Sequence, residues 1–145
     1  MPPIIKSLRV LRIFNFFTGL VKFLKYGKWA VLWAILILVL CIIPGKELPD
    51  ISFLEQINFD KFVHITLFFV LILLTISTFK TQTENAFFHN SPKLTGFVYC
   101  VGYGAMLECI QGAFIEGRSA DIFDLAANTI GCCIGIVVYN RFEKK

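Results

Sequence analysis

Apolar positions fall into four long runs along the chain, and polar positions gather between the runs and also inside the last three. The first run, residues 29–43, reads WAVLWAILILVLCII and is closed by Pro44 and Gly45. The second, residues 62–79, reads FVHITLFFVLILLTISTF; the third covers residues 94–115 and the fourth residues 122–139. A helix needs about 20 apolar residues to cross a bilayer core, so this pattern predicts four transmembrane helices. The first run is short for a span. Residues 20–28 can extend it, with Lys25 and Lys28 reaching back to the interface along their aliphatic stems. No soluble module is long enough to fold between the runs, and no internal repeat stands out. The expected fold is all-α: an integral membrane four-helix bundle over residues 29–145, preceded by a basic arm over residues 1–28. Within that arm, residues 4–17 mix basic and bulky apolar side chains, a composition suited to an interfacial helix lying on the membrane.

Composition strengthens this picture. The chain has 145 residues, 57% of them hydrophobic, with sixteen Phe. A soluble domain is nearer 45–50% apolar, and a chain this short has too little polar surface to cover such a core in water. The five cysteines, Cys41, Cys100, Cys109, Cys132 and Cys133, all lie within apolar runs. Their spacing fits neither a disulfide framework nor a thiolate zinc site, and they read as small apolar fillers. The first run lacks a small-residue cleavage site, so it reads as a retained anchor.

The net charge is +4, but its placement carries the information. Lys6, Arg9, Arg12, Lys22, Lys25 and Lys28 precede the first span, and Arg141, Lys144 and Lys145 follow the last. A basic arm next to a hydrophobic span points to an anionic lipid surface rather than nucleic acid. By the excess of Lys and Arg in cytoplasmic segments, both termini are expected in the cytoplasm. The connections after the first and third spans then face outward, and the chain is expected to cross the cytoplasmic membrane several times, with the lipid bilayer as its partner.

Against this background the segment from Glu108 to Gly131, ECIQGAFIEGRSADIFDLAANTIG, holds charges that a membrane penalises. At about 100° per residue, Asp121, Asp124, Asn128, Gly131 and Gly135 fall on one narrow face of the fourth helix. Gly131 and Gly135 form the small-xxx-small spacing of close membrane-helix contacts. Cys100, Gly104, Glu108 and Gln111 share a face of the third helix. On the second, His64 follows Asp60 by one turn, in line with Phe68, Leu71 and Thr75. Counted inward from the outer connections at about 1.5 Å per residue, these groups share one layer in the outer half of the membrane.

A lone carboxylate in mid-span costs about 2.5–3.5 kcal/mol on insertion scales, so Glu108 needs a partner. The candidates are His64 as imidazolium, a hydrogen bond from Gln111, or a proton on Glu108 itself. Arg118, beside the mouth of the layer, can pair with Asp121 or Asp124 or hold a phosphate or carboxylate bidentately. Plainer roles exist for each residue alone. Asp121 is a natural N-cap with Asp124 in the first turn, Gln111 and Asn128 suit interhelical hydrogen bonds, and Lys61 and Glu116 suit the interface. The candidate binding set is Asp60, Lys61, His64, Glu108, Gln111, Arg118, Asp121, Asp124 and Asn128. His64 and Glu108 are the candidates for acid–base chemistry. The sequence assigns no metal ligands and no cofactor, and it does not decide whether the protein is an enzyme.

In these residues the chain resembles the VanZ-like family of small bacterial membrane proteins. The shared pattern reads Asp60-Lys61-Phe62-Val63-His64, Glu108-Cys109-Ile110-Gln111, Gly117-Arg118, Asp121-Ile122-Phe123-Asp124, Asn128 and Gly131. One departure is Ile115-Glu116 before Gly117, where a proline is common in the family. The resemblance implies a cell-envelope role connected with tolerance of glycopeptide antibiotics, teicoplanin in particular. It implies an outward-facing polar site for a lipid-linked, cell-wall-related or partner ligand, and no particular reaction. The other function class in view is an intramembrane enzyme acting on a lipid phosphate or pyrophosphate, with Asp121 and Asp124 around Mg²⁺. A small proton-coupled carrier built on Glu108 and His64 ranks third.

Overall fold

The structure is a computed structural model, and it describes residues 25, 27–43, 59–81, 90–115 and 119–144. Among these residues the chain forms four helices: α1 (Gly27–Ile42), α2 (Phe59–Lys80), α3 (Pro92–Phe114) and α4 (Ile122–Glu143). The all-α expectation holds, and α2, α3 and α4 are each long and apolar enough to cross a membrane. The described part of α1 is a shorter apolar helix, as its short run foretold. Its expected extension toward residue 20 and the interfacial helix over residues 4–17 lie outside the described residues. Lys28 rests its ammonium 5.4 Å from the centre of the Trp29 ring, an arrangement suited to a membrane–water boundary.

Local signals in the sequence set the helix starts. Pro92 occupies the first turn of α3, where its missing N–H would have no intrahelical partner in any case. Asp121 caps α4 by accepting a hydrogen bond from Phe123 N at 2.8 Å, the N-cap role expected of it. Hydroxyls inside the spans bond back to their own helix, as Thr75 does to the Leu71 carbonyl at 2.8 Å. No water is available in a bilayer core, and this satisfies the hydroxyl locally.

Among the three long helices, α2 and α4 make the most extensive contact, and glycine is the reason. A Cβ at Gly131 would run into the backbone carbonyl of Ile65, and one at Gly135 would meet the Ile72 side chain and the Phe69 carbonyl. The helix backbones therefore touch along this seam. Phe68, Leu71, Ile72, Ile76, Cys100, Leu107 and Cys132 fill the centre, joined by Ile37 and Cys41 from α1. The large apolar side chains of the opposite faces, among them Phe62, Leu94, Phe114, Phe123 and Phe142, stay exposed, as suits helices bathed in lipid. Cys41, Cys100 and Cys132 are buried, Cys109 and Cys133 are exposed, and none is joined in a disulfide.

Helix α1 is tied on by side chains that reach backbone carbonyls. Trp33 Nε1 donates to Leu67 O at 2.9 Å, Tyr103 Oη to Ala34 O at 2.6 Å, and Gln111 Nε2 to Cys41 O at 3.0 Å. These pairings run α1 antiparallel to α2 and parallel to α3. The start of α2, the end of α3 and the start of α4 therefore share one end of the bundle with the end of α1. The candidate site forms there.

Candidate functional site

Each of the three spanning helices brings one terminal turn to this end, and the polar layer assembles from those turns. Lys61, one turn into α2, is its ionic centre. Its ammonium lies 2.8 Å from Asp60 Oδ2, 2.9 Å from Asp121 Oδ2 and 2.5 Å from Asp124 Oδ1. Sequence reading gave Lys61 an interfacial position and offered Arg118 as a partner for Asp121 or Asp124. In the structure Lys61 pairs with both aspartates, because the long lysine stem spans from α2 to the cap of α4. Arg118 and Glu116 lie outside the described residues. Lys61 donating to Asp121, together with the Phe123 amide at the cap, holds the Asp121 carboxyl below its ordinary value of 3.8.

One turn deeper, His64 Nδ1 lies 2.9 Å from Asn128 Oδ1, an α2–α4 bridge. An amide oxygen can only accept, so Nδ1 is the donor in this bond and Nε2 is the ring nitrogen left for a second partner. That Nε2 faces Asp124 Oδ2 at 3.8 Å. Asn128 is wholly buried and its Nδ2 has no hydrogen-bond partner. It lies where α3 narrows to glycine: a Cβ at Gly104 would sit 3.0 Å from Asn128 Nδ2 and 3.2 Å from the Phe68 ring.

Glu108 enters from α3. It is only 5% exposed, and its Oε2 accepts from the backbone N–H of Asp121 at 3.1 Å. Its other oxygen, Oε1, is buried without a partner. The partners expected for Glu108 are thus rearranged. Gln111 is spent on α1, where it bonds Cys41 O, and His64 bonds Asn128. The donor that Glu108 does find is a main-chain amide at the start of α4. Side-chain patterns in a sequence give no sign of such an amide. The close approach of α3 to this amide is made possible by Gly112, where a Cβ would sit 2.9 Å from Ala120 N.

The structure therefore gathers Asp60, Lys61, His64, Glu108, Asp121, Asp124 and Asn128 at one end, with Gln111 beside them as the tie to α1. Ligand-type atoms of His64, Glu108 and Asp124 lie within 4.8 Å of one another. Two polar atoms of opposite character, the acceptor Glu108 Oε1 and the donor Asn128 Nδ2, are left unsatisfied in the same layer. A buried orphan of either kind costs about 1–3 kcal/mol. Such a layer can receive a polar group from outside, move a proton through His64, or hold a cation.

Sequence reading missed a second ionic cluster at the opposite end. Glu143 of α4 pairs with Lys80 of α2 and Lys93 of α3, and Lys93 also donates to Asn140 Oδ1 at 2.6 Å. The signal was present, since Lys80 and Lys93 flank one connection and Glu143 ends the last helix, but these charges bear on orientation when read only as counts.

A family model described as VanZ/LLP1 matches residues 5–143. No curated protein and no solved structure matches the chain.

Proposed function

The chain belongs to the VanZ/LLP1 family, and from that membership and the chemistry of the polar layer we propose a cell-envelope role in the bacterial inner membrane. Both termini face the cytoplasm, and the end bearing Lys61 faces outward. There it binds a lipid-linked, cell-wall-related ligand or the exposed group of a partner. The observation that carries this reading is the pair of unsatisfied buried groups, Glu108 Oε1 and Asn128 Nδ2, within a layer built by three helices. A purely structural network gains by satisfying all its members, whereas a binding layer keeps donors and acceptors for its ligand. Arg118 serves as the anion anchor at the mouth, and through this ligand the protein alters susceptibility to teicoplanin and related glycopeptides.

Lipid extraction and mass spectrometry on the purified protein test the reading. A specific envelope lipid retained by the wild type and lost in Glu108→Gln supports it; a lipid profile matching bulk membrane in both counts against it. In cells, Glu108→Gln, His64→Ala, Arg118→Lys and Asp124→Asn should each abolish the change in glycopeptide susceptibility while the protein still accumulates. Orientation is tested with a probe cysteine at Ser119 on a cysteine-free background. Labelling that requires permeabilised inner membrane would reverse the topology.

A second reading, an intramembrane enzyme acting on a lipid phosphate or pyrophosphate, is favoured by one observation. Asn128 Oδ1 orients the His64 ring through Nδ1 at 2.9 Å and leaves Nε2 beside the buried carboxyl of Glu108 and that of Asp124, an arrangement in which His64 can serve as general acid or base. Release of phosphate from a lipid pyrophosphate by the wild type, absent in His64→Ala, would favour it over simple binding.

A further inference from the structure

The mixed set of His64, Glu108 and Asp124 does more than concentrate charge. One ligand atom from each lies within 4.8 Å of the other two, and each residue comes from a different helix. With Nδ1 directed at Asn128 Oδ1 at 2.9 Å, Nε2 is the His64 nitrogen left to ligate. It faces Asp124 Oδ2 at 3.8 Å, beyond hydrogen-bond range. With metal–ligand bonds of about 2.0–2.1 Å, neighbouring ligand atoms on a tetrahedral ion stand about 3.3 Å apart. The His64–Asp124 pair stands about 0.5 Å wider than that, and all three ligand atoms lie within 4.8 Å of one another, so the site closes on an ion by small side-chain shifts.

The surroundings match the support that metal ligands receive. The far nitrogen of His64 is held by an amide oxygen, the other Asp124 oxygen is held by Lys61 at 2.5 Å, and Glu108 Oε2 is held by the Asp121 amide at 3.1 Å. Independently, Glu108 is 5% exposed and its Oε1 has no partner. A cation satisfies this buried oxygen without needing a further donor from the protein. Charge points the same way. Among the described residues, the carboxylates of Asp60, Asp121 and Asp124 surround the ammonium of Lys61, and Glu108 joins the same layer through the Asp121 amide, so carboxyl groups outnumber the ammonium there.

We propose that His64, Glu108 and Asp124 form a binding site for one divalent transition-metal ion of the zinc type. The protein ligands are His64 Nε2 and one carboxylate oxygen each from Glu108 and Asp124. One imidazole with two carboxylates suits zinc better than a soft ion such as Cu(I), which selects thiolates. Three protein ligands leave a fourth position for water or for an oxygen of a bound anion. The ion adds positive charge to the layer and so strengthens its hold on an anionic group. The proposal uses the same layer as the ligand-binding role but does not depend on what that ligand is.

The test uses the full-length chain in detergent, carrying a purification tag without histidines, stripped with EDTA and dialysed against Zn²⁺. Zinc per chain is counted by elemental analysis and affinity is read by calorimetric titration. The proposal expects one zinc per chain in the wild type. It expects Co²⁺ in its place to give the visible spectrum of tetrahedral nitrogen and oxygen ligation, without a thiolate charge-transfer band. Glu108→Gln and Asp124→Asn should each weaken binding by roughly tenfold or more, and Cys109→Ser should leave it unchanged. A wild type that holds well under one zinc per chain overturns the proposal, as does a thiolate band. Equal affinity in wild type, Glu108→Gln and His64→Ala overturns it too. Should the ligand variants fail to fold, the stoichiometry and the cobalt spectrum of the wild type still decide. Lipid extraction with and without zinc separates the two readings of the layer. A specific lipid retained without any zinc uptake overturns the metal site and keeps the ligand-binding role. Zinc uptake without a specific lipid does the reverse.

Discussion

The two ends of the bundle are built from the same three helices and differ in almost every physical respect. At one end Glu143 is clamped between Lys80 and Lys93, and Lys80 and Lys93 also lie over the Tyr139 ring at 5.4 and 5.9 Å. The groups are part-exposed, cations outnumber the anion, and none of these side chains is a buried orphan. At the other end, among the described residues, carboxyl groups outnumber the ammonium, Asp124 and His64 are mostly covered, and Glu108 Oε1 and Asn128 Nδ2 are buried without partners. The first is a clip that holds three helix ends together at a wet boundary. The second carries polar groups deeper into the bundle than holding helices requires. An ionic cluster alone therefore says little about function; burial with unsatisfied groups is the feature that separates a site from a clip.

The largest expected effect falls on the seam beneath the Lys61 end. Gly131→Leu would force the Ile65 carbonyl and α2 away from α4, and should cost about 3 kcal/mol or more. The expected result is loss of monodisperse folded protein in detergent size-exclusion chromatography. An unchanged yield and melting temperature would mean that the α2–α4 seam does not position the site.

Next comes the ionic centre. Lys61→Met leaves the aspartates facing one another, and should lower stability by about 2 kcal/mol in thermal unfolding. Adding Asp124→Asn should restore part of the loss, because it removes one of the stranded charges. Additive losses in the double variant would show that Lys61 and Asp124 are not coupled.

The sharpest contrast between the ends comes from two matched substitutions. Glu108→Gln keeps size and removes charge; it should change stability by about 1 kcal/mol or less while abolishing the glycopeptide phenotype. Glu143→Gln should do the opposite, with a small, salt-sensitive loss of stability and an intact phenotype. If both variants behave alike, the distinction between site and clip fails.

The smallest effect concerns pH. The folded Asp121 carboxyl titrates below its ordinary 3.8, chiefly because Lys61 donates to it. Its contribution is therefore fully present above that value and is lost as the pH falls through the folded value. Wild-type stability should drop along an acid limb below about pH 4, and Asp121→Asn should flatten part of that limb. An acid limb identical in both proteins would remove Asp121 from the pH dependence.

Much of this was legible along the chain. Four apolar runs foretold the helices, and angular spacing put Asp124, Asn128, Gly131 and Gly135 on one face and Gly104, Glu108 and Gln111 on another. In the structure Asn128, Gly131 and Gly135 are buried on α4, and Gly104, Glu108 and Gln111 on α3. The periodicity was readable because helical geometry is local: residues three and four apart share a face whatever the helix packs against. Asp121 as N-cap was readable for the same reason.

Partner choice across helices was not legible. Lys61 pairs with Asp121 and Asp124, Gln111 turns to the Cys41 carbonyl, and Glu108 finds the amide of Asp121. Each pairing depends on how closely the backbones approach and at what rotation, which the contacts at Gly131, Gly135 and Gly112 set. Two of those three pairings also use main-chain groups, which every residue carries and no sequence pattern marks. The sequence by itself determined that the chain is membrane-embedded and helical, and which face of each helix is polar. Only the tertiary structure decided which polar atoms meet and which two remain unsatisfied, because hydrogen bonds and ion pairs are selected within a few tenths of an ångström by packing between segments distant in the chain.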